Sequence, residues 1–76
     1  MFGVRIINPK KIAIVRGNRS RKFIADMSEG KFTEQDLYNW EKGLNLPRAD
    51  RQYHLVKTLG VKFEDISDEV TAEMAA

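Results

Sequence analysis

The stretch Thr33–Gly43, TEQDLYNWEKG, constrains the fold more than any other part of the chain. Wound as a helix at about 100° per residue, it puts Leu37 and Trp40 on one side. These are its only large aliphatic and indole groups. Gln35, Asn39 and Lys42 fall opposite, with Tyr38 beside them. Thr33 suits an N-cap, Glu34 suits the first turn, and Gly43 stands where helices exit through a left-handed residue. The segment predicts a short amphipathic helix that buries the single Trp and shows amides, a phenol and a cation to solvent. A side-chain amide joins a donor to an acceptor, the combination that reads an adenine edge in a major groove. An ordinary polar surface helix has the same pattern, so the flanking segments decide between the two readings.

Seventy-six residues make one domain, 1–76, with a core near the minimum for stable folding. There is no Cys to form a disulfide or a thiolate zinc site, and one His, His54, is too few for a multi-histidine metal centre. The expected setting is reducing and cytoplasmic. No run reaches transmembrane length, and the opening MFGVRIINPKK lacks the order of a signal peptide. Asn18-Arg19-Ser20 matches a glycosylation sequon, which in a cytosolic protein is a chance match. The net charge of +2 hides an asymmetry: residues 1–63 hold all thirteen Lys and Arg against six acids, whereas 64–76 hold five acids and no base. A basic body with an acidic tail suits a polyanionic partner.

Along the chain, Phe2–Ile7 alternates and is rich in β-formers, so it reads as a strand or extended arm that must pair with something. Asn8 and Pro9 signal a helix start, and the helix runs through Lys10–Arg16, with Ile12 and Val15 inward and Gly17 as its stop. Ser20 caps the next helix, Arg21–Met27, with Phe23, Ile24 and Met27 as its apolar residues. Arg21 and Lys22 sit at a helix start, where a cation is unfavourable unless an anion is to be bound there. Ser28–Lys31 forms a turn, Phe32 stands in the staple position, and the 33–42 helix follows. After the loop Leu44–Pro47, the helix Arg48–Leu59 carries Tyr53, Leu55, Val56 and Leu59 inward and ends at Gly60. Residues 61–66 predict a last short helix with Phe63 and Ile66 inward. Ser67-Asp68-Glu69 would cap one more turn, and the chain beyond Val70 would fray.

Five short helices with a turn between the second and third fit a helix-turn-helix domain. The sequence here resembles the phage-repressor and Cro-like regulators, the XRE-type helix-turn-helix family, over roughly residues 12–66. The resemblance rests on Ser20-Arg21-Lys22-Phe23-Ile24-Ala25, on Leu37, Trp40, Glu41 and Gly43, and on Pro47. It continues through Leu55-Val56-Lys57, Leu59-Gly60-Val61 and Phe63-Glu64-Asp65-Ile66. It implies an all-α, compact five-helix (lambda-repressor-like) fold with a short N-terminal strand or arm, a core over about 9–66 and an acidic tail over about 67–76. It also implies a sequence-specific transcriptional regulator, repressor-like, that inserts helix 33–42 in the major groove of double-stranded DNA.

By that resemblance Arg21 touches a phosphate, and Glu34, Gln35, Tyr38 and Asn39 line the groove-facing side. Lys42, Asn45 and Arg48 lie near the DNA backbone, Lys22 and Lys31 complete the DNA-binding set, and Glu41 pairs with Arg16. Three departures from the family pattern stand out. Arg21 occupies a position commonly Gln, the connection between helices one and two is short, and the turn 28–32 is about two residues long beyond the usual.

Other chemistry is not supported. The carboxylates Asp26/Glu29 and Glu64/Asp65/Asp68/Glu69 lack the glycine and regular spacing of a calcium loop and any apolar setting to separate their pKa values. No nucleophile has a histidine beside it, and no glycine-rich phosphate loop occurs. The expectation is a non-enzyme with no metal, no cofactor and no membrane contact. It binds as a homodimer, with residues 2–7 pairing between copies. A protein-interaction module or antitoxin-like component on the same fold, with a protein partner, is the alternative.

Overall fold

The computed structural model describes residues 3–71. The chain enters as strand β1 (Gly3–Ile7), whose Val and Ile residues favour extended backbone. Asn8 turns it into helix α1 (Pro9–Arg16): its Oδ1 accepts from the Lys10 N–H at 3.0 Å, and proline fills the first helical position. Arg19 closes the other end, donating from Nε to the Arg16 carbonyl at 3.1 Å and from Nη2 to the Val15 carbonyl at 2.9 Å. Helix α2 (Arg21–Met27) is capped by Ser20, which accepts from the Phe23 N–H at 3.0 Å. Helices α3 (Glu34–Lys42) and α4 (Ala49–Leu59) follow, each leaving through a left-handed glycine, and a 3-10 turn (Phe63–Ile66) leads into strand β2 (Ser67–Thr71).

One core joins these elements. Ile12, Ile24, Leu37, Trp40, Leu55 and Ile66 meet in its centre, drawn from all four helices and the 3-10 turn. Burying each such side chain contributes about 1.5–3 kcal/mol. Among the described residues, no helix is long and apolar enough to cross a membrane.

The architecture corrects the all-α, five-helix expectation. Over the described residues the chain is a mixed α/β domain of four α-helices and a two-stranded antiparallel sheet, with Gly3 opposite Thr71 and Ile7 opposite Ser67. Residues 63–66 are a single 3-10 turn because only six residues separate Gly60 from the strand. Ser67 does not cap a further helical turn. Its buried hydroxyl donates to the Phe63 carbonyl at 2.7 Å and accepts from Arg5 Nε at 2.8 Å, which pins the start of β2 to β1. β1 thus pairs along one of its two edges with β2 of the same chain. Thr71, expected to fray, ends β2 opposite Gly3, and Phe2 and residues 72–76, the latter also expected to fray, lie outside the described residues.

Three apolar side chains also point the other way from expectation. Phe23 and Met27 are 51% and 47% exposed, because α2 buries Ile24, Ala25 and, just past its end, Ser28. The buried arc is rotated one residue along the helix. Tyr53 is 59% exposed, its place in α4 taken by Leu55 and Leu59.

Candidate nucleic-acid interface

The geometry of α3 begins with its caps. Thr33 Oγ1 accepts from the Asp36 N–H and Asp36 Oδ2 accepts from the Thr33 N–H, both at 3.0 Å, a reciprocal pair that fixes the first turn. Asp36 also meets Arg51 Nη1 at 3.3 Å, so this carboxylate is committed within the fold. The Thr-x-x-Asp spacing is the signal of this box in the sequence. Inside the helix Leu37, Trp40 and Glu41 are buried. Trp40, 4% exposed, lies against Phe32 with ring centroids 5.3 Å apart. Phe32 is buried in its staple position.

Glu41 anchors the helix to the two before it. Its side chain is 2% exposed. Arg16 grips it with Nε to Oε2 at 2.6 Å and Nη2 to Oε1 at 2.9 Å, the fork geometry of a strong carboxylate pair. The hydrogen bond that Arg16 donates to Glu41 is the main cause that raises the Arg16 pKa above its ordinary value, against the opposing effect of burial. The Arg16–Glu41 pair was expected. The third member was not: Arg21 Nε donates to Oε1 at 3.1 Å. No spacing rule relates residues 21 and 41, so only the packed fold brings them together.

That bond turns Arg21 into part of the α3 surface. Its guanidinium lies 5.1 Å from the centre of the Tyr38 ring, and Lys42 Nζ lies 5.7 Å from the same ring. The stacking holds two cations against the phenol, a favourable cation–π arrangement. Next along the face, Gln35 Nε2 donates to Asn39 Oδ1 at 3.0 Å, so the two amides are joined. On the opposite flank a shallow groove is lined by Asp36, Leu46, Arg48, Asp50 and Arg51. Arg48 caps α4 by backbone alone and leaves its side chain exposed.

The structure therefore gathers Arg21, Gln35, Tyr38, Asn39 and Lys42 on one face, with Arg48 at its far edge. Glu34 is exposed at the helix start and shares a groove with Lys22, which is itself bridged to Asp26 at 3.2 Å. Lys31 and Asn45 are exposed in the connections before and after α3. Among the described residues no group of three His, Asp or Glu side chains is placed to hold a metal ion. No family model, no characterised protein and no solved structure matches this chain.

Proposed function

We propose that this protein is a helix-turn-helix regulator of the phage-repressor and Cro-like (XRE-type) kind, which binds double-stranded DNA by laying α3 in the major groove. The observation that carries the reading is the surface of α3. Joined amides at Gln35 and Asn39 stand between Arg21 and Lys42 on one flank and Arg48 on the other. Amides discriminate bases, and guanidinium groups on both sides suit the two phosphate backbones that border a groove. Capping and ion pairing of Asp36 remove one of the two carboxylates that would repel those backbones. One short helix reads few base pairs, so two copies act together on a two-fold operator in the cytoplasm.

A protein-binding or antitoxin-like role is the second reading, and Leu44 and Leu46 favour it. Both are at least half exposed in the loop directly after α3, where a protein partner would cover them. Selection from a randomised duplex library separates the two. Enrichment of a palindrome with half-sites about 34 Å apart supports the DNA reading. No enrichment, with no salt-dependent duplex binding, contradicts it and leaves the partner reading.

A further inference from the structure

The two strands leave the sheet with two edges, and the chain treats them differently. Asn8 donates its N–H to the Ile66 carbonyl at 2.9 Å, which carries the β1–β2 register one step further. Backbone bonding alternates along an antiparallel pair, so Ile6 and Val4 also turn their N–H and C=O groups toward Asp68 and Val70. The intervening Gly3, Arg5 and Ile7 turn theirs to the far edge of β1, and Ser67 and Glu69 turn theirs to the far edge of β2. The β2 edge is guarded. The Ser67 carbonyl accepts from Arg5 Nη2 at 3.0 Å and from Lys11 Nζ at 3.2 Å, and the strand carries the carboxylates of Asp68 and Glu69. The β1 edge lacks such cover: among the described residues no hydrogen bond reaches the outward backbone groups of Gly3, Arg5 or Ile7.

We propose that the free edge of β1 binds the same edge of a second copy, antiparallel about a two-fold axis, and so builds a four-stranded sheet. Charge selects this occupant. Two copies meeting at β2 would set Asp68 and Glu69 against their own kind, whereas β1 has one charge, Arg5, and folds its guanidinium onto the Glu64 and Ser67 carbonyls. β1 on β2 of another copy is obstructed at the occupied Ser67 carbonyl and would add copies without end. The strand has neither proline nor acid to blunt its edge. Its outer face agrees: Val4 and Ile6 are more than half exposed, with half-buried Val70 across from Val4. Pairing β1 with its twin joins the Val4 and Ile6 side chains of both copies in one apolar stripe, a self-complementary patch of the kind a two-fold interface requires. An axis through Val4 sets Arg5 opposite Gly3 of the other copy, and one through Ile6 sets it opposite Ile7, so neither register brings the two arginines face to face. A sheet of four strands is also sturdier than a pair, which is marginal by itself.

The test is made in solution without DNA, so it stands or falls apart from the DNA-binding reading. Sedimentation of the full-length protein should show a species of twice the chain mass that dissociates on dilution. Arg5→Ala and Arg5→Pro both lose the guanidinium, but only proline also removes the outward N–H. Proline is tolerated where that N–H faces away from the strand's partner. In a two-fold dimer it deletes two donors at once, one from each copy. Arg5→Pro should therefore dimerise roughly 5- to 150-fold more weakly than Arg5→Ala. In the parent, the Arg5 amide should exchange slowly with solvent in the dimer and quickly after dilution, while the Ile6 amide stays slow in both. This exchange readout decides the matter if either variant fails to fold. A parent that stays monomeric up to about 1 mM, that assembles beyond a dimer, or whose two variants dimerise equally well overturns the proposal. So does an Arg5 amide protected at every dilution, which would place its partner within the same chain.

Discussion

Glu41 sits almost out of water between two guanidinium groups, and that placement sets what each residue near it can do. Arg16 is fully engaged, donating to Glu41 and to the Arg19 carbonyl. Arg21 gives one edge to Glu41 and keeps the rest for the α3 surface. Replacing Glu41 with Ala would leave both arginines without their acceptor, and removing one member of a buried ion pair costs about 3–5 kcal/mol. A drop of that size in denaturant melts is expected; a change under about 1 kcal/mol, the range of surface pairs, would contradict the arrangement. Trp40→Ala is expected to cost a similar 3–5 kcal/mol because the indole fills the space beside Phe32. That loss is a large part of the stability of a domain this small, so the variant should be largely unfolded when warmed.

At the scale of elements, helices α1 to α4 and strand β1 were legible, whereas β2 and the 3-10 turn before it were not. Asn8, Ser20, Thr33, Gly17, Gly43 and Gly60 stand at the helix ends where capping chemistry places them. Gly43 makes the point quantitatively. Its φ is +73°, and an added Cβ would meet Pro9 Cγ at an unstrained 3.6 Å, so Gly43→Ala should cost only the backbone term of about 1–2 kcal/mol. β2 carries no such signal, because SDEVT has one aliphatic residue and takes its structure from β1 across the register. The inner face of α2 was misread by one residue because Phe23 and Met27 outweigh Ala25 and Ser28 in hydrophobicity, while small residues are what fit beside α3 and the turn. Arg21's bond to Glu41 spans twenty residues and had no local trace. The Gln35–Asn39 bond had one, its four-residue spacing.

The sheet junction also gives a pH dependence. Lys11 and then Asn8 hydrogen-bond to the Asp68 carboxylate, with Lys11 Nζ at 2.6 Å and Asn8 Nδ2 at 2.8 Å, and hold its pKa below the ordinary 3.8. A depressed carboxylate stabilises the fold fully above its unfolded value, and the contribution is lost as pH falls through the lower folded value. The raised pKa of Arg16 acts at the other end: its contribution is constant across acid and neutral pH and is lost only in strong base. Melts of the parent and Asp68→Asn should therefore differ near neutral pH and converge below pH 3.8. A gap that persists undiminished in acid would show that Asp68 acts through something other than its charge.

On the scale of the whole molecule, a basic body ends in an acidic strand and tail, and part of that acid is used internally: Asp68 pairs with Lys11 across the β2–α1 junction. The α3 face is left with its cations exposed at the rim and its amides between them. This division of labour is the central claim, and binding measured on an enriched duplex and on random duplex across a salt series tests it most directly. Gln35→Ala is expected to lose about 1–3 kcal/mol on the enriched duplex and much less on random DNA. Arg21→Ala should weaken both equally and make the slope of log affinity against log salt shallower by about one. Equal losses on both duplexes for Gln35→Ala, or an unchanged salt slope for Arg21→Ala, would contradict the account.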